Sequence, residues 1–218
     1  MDQCRNDAGQ ASGDEDDRHS GTSIQTCMVL RYGLIMSIQG CMVTRRLSRQ
    51  DWLDAAMTNL AKHGHQSLRA ERLAKLLGVS RGSFYWHFSD VENFEQAVLA
   101  HWETVSVDLP YASATEGQDL STALPKLIRK VFRSPVALER AVRSWATISP
   151  MAARVLSRVD QRRLSLLAKL IPSSEASPDK TNARALILYW AYLGHVTMAE
   201  TNVDDVVITA LVEQLCIS

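Results

Sequence analysis

The stretch LAKLLGVSRGSFYWHF, residues 73–88, decides the fold of this chain. Three leucines within 73–77 are spaced as on one face of an α-helix, so the pattern predicts a short amphipathic helix. Gly78 follows directly and predicts the end of that helix, because glycine takes the left-handed conformation without a clashing Cβ. Ser80 is expected to cap a second helix, 81–88, with its hydroxyl. Two short helices joined by a tight glycine turn make a helix-turn-helix.

The second predicted helix carries polar side chains where a buried helix would be apolar. Phe84 and Phe88 lie four residues apart and can anchor one face. The other side chains can reach phosphates and base edges, and they are Arg81, Ser83, Tyr85, Trp86 and His87. From spacing alone, an exposed amphipathic helix with a few aromatic residues is the alternative.

This stretch resembles the DNA-binding core of the TetR family of bacterial transcription regulators. The matching motifs are Leu73-Ala74, Gly78-Val79-Ser80 and Gly82-Ser83-Phe84-Tyr85-Trp86-His87-Phe88. The similarity extends from about Ser48 to Trp102. It implies an all-α protein with an N-terminal three-helix helix-turn-helix DNA-binding domain and a C-terminal helical ligand-binding and dimerisation domain. One position departs from the family, because Val91 stands where a lysine commonly meets phosphate.

The resemblance also assigns roles to individual residues. Tyr85 and His87 correspond to positions that contact phosphate in the family. Arg81 lies in the first turn of the recognition helix, where a side chain in the major groove reaches base edges, and its guanidinium can donate two bonds to guanine. The other predicted DNA contacts are Arg69, Ser80, Gly82, Ser83 and Trp86.

Charge is distributed unevenly along the chain. The 24 basic and 24 acidic residues give a net charge of zero. Residues 45–88, however, hold eight arginines or lysines against three acidic residues, a local charge of +5 before histidines. Such a local basic excess is the electrostatic footprint expected of a DNA-binding domain.

Catalytic and metal-binding patterns are missing from the sequence. The four cysteines, Cys4, Cys27, Cys41 and Cys216, form no C-x-x-C pair and no Cys/His ligand spacing, so neither zinc nor a disulfide framework is predicted. No Ser/His/Asp order, carboxylate pair or phosphate loop indicates an enzyme. We therefore predict a cytoplasmic protein that is not an enzyme, requires no metal or cofactor, and does not associate with membranes.

Composition predicts three parts of the chain. Residues 1–41 begin with a segment rich in Asp, Gly and Ser, and are predicted to be a disordered tail or a non-native extension, with translation starting near Met42. Residues 42–103 are predicted to form the helix-turn-helix domain with its linker helix, and residues 104–218 the helical regulatory and dimerisation domain. A loop is predicted at 109–117, with only helices after it.

Capping residues and proline positions predict where helices begin. Ser48 with Asp51 and Ser89 with Glu92 are predicted capping boxes, and Ser67 is predicted to cap the first helix of the helix-turn-helix. Later helices are predicted at about 120–132, 136–148, 151–171, 179–199 and 204–215.

The helix predicted at 179–199 is apolar nearly all round, so it must be covered on more than one side. In the TetR family the last two long helices pair with their two-fold mates as a four-helix bundle, which implies a homodimer. The predicted interface residues are Leu186, Tyr189, Trp190 and Leu193. Burial within one subunit is the alternative.

A small-molecule site is expected in the C-terminal domain. Phe132, Trp145, Tyr189 and Tyr192 are predicted to line an apolar cavity, with Met151, Trp190 and His195 as further candidates. Ordinary core packing also explains each of them.

The predicted function is a sequence-specific DNA-binding transcriptional regulator. We expect a repressor that binds double-stranded operator DNA and is released by an apolar effector. The alternative is a helical sensor or interaction module whose DNA-binding head is weak or lost.

Overall fold

The computed structural model describes residues 47–116, 120–171, 178–198 and 204–216, so the prediction for residues 1–41 lies outside it. The described residues are helical without a strand, which confirms the all-α class. They belong to one compact unit. Within these ranges, none of the helices combines the length and apolar character needed to cross a membrane.

The N-terminal part folds as a helix-turn-helix unit, called the head below. Its elements are α1 (Arg49–His63), a 3₁₀ turn (His65–Ser67), α2 (Ala70–Leu77), α3 (Arg81–Tyr85) and α4 (Val91–Glu103). The Ser48 hydroxyl accepts from the Asp51 amide at 3.2 Å and the Asp51 carboxylate accepts from the Ser48 amide at 2.7 Å, which confirms this capping box. Gly78 ends α2 with φ 69° and ψ 28°, as its left-handed role predicts.

Two serines have roles that differ from the predicted caps. Ser80 does precede α3, but its hydroxyl makes no capping bond, and its carbonyl accepts from the Ser83 amide at 3.0 Å. Ser67 is buried in the 3₁₀ turn and donates its hydroxyl to the Gly64 carbonyl at 2.7 Å. The turn inserts residues before α2, which therefore begins only after Arg69.

The predicted Ser89–Glu92 capping box is wrong by one residue. Asp90 caps α4, and its carboxylate accepts from the Asn93 amide at 2.7 Å. The Ser89 hydroxyl also donates to Asp90, at 2.9 Å. The Asn93 amide and then the Ser89 hydroxyl hold the pKa of Asp90 below its usual value, since both stabilise the charged form. At the positive, N-terminal end of α4, the Asp90 carboxylate therefore acts as the cap in place of the neighbouring Ser89 hydroxyl.

The predicted loop at 109–117 is also wrong, because the chain stays helical well past Pro110. A π-helical segment (Thr104–Asp108) follows α4 directly and leads into α5 (Leu109–Thr115). The Leu109 amide donates to the Thr104 carbonyl, five residues back. Pro110 lies in the first turn of α5, where a missing N–H is tolerated.

The remaining helices begin and end within a few residues of their predicted bounds. They are α6 (Leu120–Arg133), α7 (Ala137–Ala146), α8 (Pro150–Leu170), α9 (Pro178–Thr197) and α10 (Asp205–Cys216). The core between them includes Ala114, Leu124, Ile128, Leu170, Leu188 and Ile208. Helix α7 packs against both α1 and α8, and so joins the head to this core.

Candidate functional site

A cluster of four rings, the aromatic anchor, holds the recognition helix α3 in place. Phe84 is fully buried, and its ring centre lies 5.5 Å from that of Trp52, 5.2 Å from Phe88 and 5.1 Å from Phe94. Helix α3 has only five residues, and so short a helix is unstable by itself. Its position therefore depends on the aromatic anchor.

The opposite side of α3 faces away from the protein. Trp86 is 80% exposed and Tyr85 47%, which is unusual for large aromatic side chains. The structure brings the residues predicted around α3 together on this surface: Ser80, Arg81, Gly82, Tyr85 and Trp86 are exposed, and Ser83 and His87 are half-buried. Arg69 is exposed just before α2, with no side-chain capping bond. This surface combines hydrogen-bond donors with flat apolar rings, a combination suited to nucleic acid.

Arg81 and Tyr85 contact each other one helical turn apart. The Arg81 Nη2 donates to the Tyr85 hydroxyl at 3.2 Å, and the guanidinium carbon lies 5.8 Å from the ring centre. The hydrogen bond and then the partial charge of the same phenol raise the pKa of Arg81, so the cation is retained. The pair therefore presents one fixed charge and one hydroxyl on the outer face of α3.

Gly82 has no packing reason to be a glycine. A Cβ built there would meet only the Ser80 Oγ, at 3.7 Å, which is an ordinary contact. Since the residue is exposed, a side chain at this position would project from the surface of α3. The absence of one allows another molecule to approach the backbone closely.

Trp145 does not belong to the cavity for which it was predicted. It is 1% exposed and its ring stacks on His65 with 4.5 Å between centres. The His65 Nε2 lies 2.8 Å from Glu95 Oε1 on α4. Trp145 therefore packs where α7 meets the head, outside the wall of the cavity described next.

An apolar cavity of about 70 Å³ lies between the π-helical segment, α5, α6, α8 and α9. Phe132, Tyr189 and Tyr192, which were predicted as ligand contacts, lie in its wall. The sequence did not identify its other walls, which include Val107, Pro110, Tyr111, Ile128, Arg163 and Leu188. Met151, Trp190 and His195 do not line it. His195 instead stacks on Phe132, with 5.4 Å between ring centres.

Four charged side chains form a buried charge network beside the cavity: Glu139, Arg143, Asp160 and Arg163. Glu139 is 5% exposed and accepts two bonds from Arg163, at 2.8 and 2.9 Å, and one from Arg143 at 2.9 Å. Arg143 also donates to Asp160 at 2.8 Å. Two cations and two carboxylates leave the network neutral. Burial favours neutral Glu139, but the two arginines outweigh this and hold its pKa below its usual value.

Tyr189, predicted both at the ligand site and at the dimer interface, is buried beside this network. It is 4% exposed, donates its hydroxyl to Asp160, and accepts from Arg143 at 2.9 Å. Burial, followed by the bond to Asp160, raises the pKa of Tyr189 to about 12. Its side chain therefore points into the subunit, one position away from an exposed neighbour, Trp190.

Arg163 connects the cavity with the helix that leaves the head. Its guanidinium lies 5.6 Å from the ring centre of Trp102 on α4 and 5.5 Å from that of Tyr192 on α9. Its Nη2 reaches the Ser106 carbonyl in the π-helical segment at 3.5 Å. A molecule that moved Arg163 would consequently disturb α4, α8 and α9 together.

An exposed apolar stripe runs along α9. Ile187 is 54% exposed and Trp190 60%, three residues apart on one face, and Met198, the residue after the helix, is 60% exposed. Leu186 and Leu193, also predicted at the interface, are half-buried beside this stripe. On α10, Val206 is 75% exposed. Large apolar side chains exposed on one side of a helix are typical of an interaction surface.

Comparison with known families gives a match for the head. The family described as bacterial regulatory proteins, tetR family, matches residues 53–94. This segment runs from the middle of α1, through α2 and α3, into the first turn of α4.

Known proteins with a similar sequence are regulators. The chain is 32% identical over 95 residues to the HTH-type transcriptional regulator AcrR of Shigella flexneri, which covers 43% of this chain and 44% of AcrR. It is 25% identical over 151 residues to the HTH-type transcriptional repressor KstR of Mycobacterium tuberculosis, covering 67% and 69% of the two chains. The chain thus matches less than half of the length of AcrR and about two thirds of KstR.

Solved structures share the fold beyond the head. A transcriptional regulator from Rhodococcus sp. Rha1 aligns with a TM-score of 0.61 at 18% identity, over 79% of this chain and all of the other. Reduced NemR of E. coli aligns with a TM-score of 0.60 at 16% identity, over 76% of this chain and 94% of NemR. At such identities these likenesses concern the fold alone.

Proposed function

We propose, from the premise that residues 53–94 match the tetR family of bacterial regulatory proteins, that this chain is a sequence-specific DNA-binding transcriptional regulator and not an enzyme. The observation that carries the proposal is the geometry of α3. The aromatic anchor buries one side of this helix and leaves Arg81, Tyr85 and Trp86 exposed on the other. The protein would bind a double-stranded DNA operator. It would act in the cytoplasm.

The proposed DNA contacts are of two kinds: contacts with base edges, which recognise sequence, and contacts with phosphates. Arg81 is in the first turn of α3, which suits base edges in the major groove. Tyr85, His87 and Arg69 would hold phosphates, which fixes the register of the head without reading sequence. The alternative of a lost head rests on Val91, which is 44% exposed and replaces a basic residue. We do not favour it, because the other predicted contact residues remain accessible.

Repression relieved by an effector is the regulatory mode that we propose. The apolar cavity would hold the effector, and Arg163 would transmit its presence, because that side chain contacts α4 and the Ser106 carbonyl as well as the cavity. An effector that favours one position of α4 shifts the population of head orientations, by as much as its affinities for the two states differ. Similarity to KstR, named a repressor, supports this direction of control.

A homodimer through α9 and α10 would place two heads on one operator. The apolar stripe of Ile187, Trp190 and Met198 supports this assembly, with Leu186 and Leu193 at its margin. Two-fold symmetry would then bring the stripe of one subunit against that of its partner. Recognition of a palindromic operator follows from the same symmetry.

Replacing Arg81 tests the DNA-reading role. Arg81→Ala is expected to weaken operator binding by roughly 1–3 kcal/mol and to relax the preference at one base pair in each half-site. Tyr85→Phe, which deletes only a hydroxyl, is expected to weaken operator and scrambled duplex to similar extents. Fluorescence anisotropy at one fixed salt concentration measures both, using an operator mapped by footprinting on the upstream intergenic DNA. Equal losses on both duplexes for Arg81→Ala would make Arg81 a phosphate contact.

Introducing a charged side chain into the apolar stripe tests the proposed dimer interface. Trp190→Glu is expected to convert a dimer into folded monomers, because a symmetric interface would bury the introduced carboxylate twice. Light scattering at micromolar concentration measures the mass, and circular dichroism checks the fold. Ile148→Glu is the matched control, since Ile148 is a 70% exposed apolar residue outside α9 and α10. A dimeric Trp190→Glu protein would place the interface elsewhere.

A further inference from the structure

We propose that the cavity takes an uncharged, mainly hydrocarbon ligand with one oxygen that hydrogen-bonds to the hydroxyl of Tyr192. This inference rests on the proposed function only in treating the cavity as the effector site. It follows from the charge balance around Arg163, from the state of the tyrosine hydroxyls, and from the volume of the cavity.

The charge balance argues against an ionic ligand. Arg163 is the charged residue that lines the cavity, and by itself it would favour an anion. Glu139, however, already holds that guanidinium through two bonds, and Arg143 is shared between Glu139 and Asp160. The four charges of this network cancel, so a carboxylate or an ammonium would enter without a compensating partner. Burying an unpaired charge is costly, whereas an uncharged molecule leaves the balance intact.

The hydroxyl of Tyr192 is a free polar group in the cavity wall. The Tyr189 hydroxyl already donates to Asp160 and accepts from Arg143. Tyr192 has no hydrogen-bond partner in the part of the chain that the structure describes, although its ring packs against Phe132 at 6.1 Å between centres. Burial raises the pKa of Tyr192, so the phenol is neutral and can donate or accept. This hydroxyl is not sealed from solvent, so a ligand oxygen would take the place of water as its hydrogen-bond partner.

The volume of the cavity limits the size of the ligand. An engineered protein cavity of about 150 Å³ accommodates benzene. The present cavity is about 70 Å³ and has predominantly apolar walls, among them Val107, Ile128 and Leu188. It therefore holds a short hydrocarbon chain, with longer chains entering only as these side chains move.

Three probes of equal chain length, short enough for the cavity, test the ligand class: 2-butanone, butanoate and butylammonium. Isothermal titration calorimetry of the full chain is expected to give at least about tenfold tighter binding of 2-butanone than of either ion, because only the ions add buried charge. Tyr192→Phe removes one hydroxyl and is expected to weaken 2-butanone by about two- to tenfold, with little change in melting temperature.

Three outcomes of this experiment would overturn the inference. Equal or tighter binding of butanoate or butylammonium would refute the charge argument, and absence of binding by all three would refute the ligand class. Unchanged 2-butanone affinity in Tyr192→Phe would refute the hydrogen bond to that hydroxyl. Operator binding, measured on the same samples without probe, separates these failures from failure of the proposed function. A protein that binds operator but fails the ranking is a regulator with another effector.

Discussion

Glu139→Gln is expected to destabilise the protein by about 3–5 kcal/mol, the usual cost of removing one partner from a buried ion pair. The substitution preserves shape but leaves Arg163 and Arg143 without the carboxylate that each now contacts. Their side chains are only 11% and 20% exposed, so water cannot replace the lost charge easily. Urea denaturation followed by circular dichroism measures the free energy of unfolding.

Glu103→Gln is the matched control, because it is the same chemical change at a carboxylate whose arginine partners are exposed. The Glu103 side chain is 13% exposed, but Arg158, at 2.6 Å, is 58% exposed and Arg162, at 3.4 Å, 45%. Such pairs contribute about 0–1 kcal/mol. Equal losses for Glu103→Gln and Glu139→Gln would show that the buried charge network has no special role in stability.

The pH dependence of stability gives a second readout of Glu139. Its pKa is lower in the folded protein than the ordinary value of 4.5, so its contribution is fully present above that value. It is lost as the pH falls through the folded pKa, because only the charged form binds the arginines. The unfolding free energy of Glu139→Gln is therefore expected to fall less steeply below about pH 4.5 than that of the wild type.

Phe84→Ala is expected to cost about 3–5 kcal/mol and to abolish operator binding. Phe84 is fully buried and touches the other three rings of the aromatic anchor. Removing its ring leaves α3 without the contact that fixes a helix of five residues. Both effects have one cause and are measured by urea denaturation and by fluorescence anisotropy.

Phe84→Leu tests whether α3 requires an aromatic ring at this position or only a buried apolar side chain. Leucine keeps most of the apolar volume, so the loss is expected to stay below about 1.5 kcal/mol, with operator binding retained. Full operator affinity in a stable Phe84→Ala protein would show that α3 is held by other means.

The head could be predicted from sequence because its signals are local. The glycine at 78, the phenylalanines four residues apart and the Ser48 capping box each act within one or two turns, and the structure contains all of them. The cap of α4 was misplaced for an equally local reason. Adjacent Ser89 and Asp90 can both cap, and the stronger acceptor takes the position.

The cavity and its charge network could be predicted only in part because they depend on distant residues. Glu139 and Arg163 lie 24 residues apart on different helices, and their sequence pattern matches that of an exposed helical face. Tyr189 and Trp190 show the same limit, since both are aromatic and adjacent, yet one is buried and the other exposed. Which side of an almost wholly apolar helix faces inward is decided by its neighbours.

The π-helical segment Thr104–Asp108 has a consequence for the direction in which α5 faces. A π turn contains more residues than an α turn, so it acts like a residue inserted into the helix. Each residue of an α-helix advances the direction of its side chain by about 100°. Removing one residue from this segment would therefore rotate Pro110 and Tyr111 away from the cavity while leaving the composition of its walls almost unchanged. The orientation of this wall is set by the number of residues between Glu103 and Leu109, and not by their chemistry.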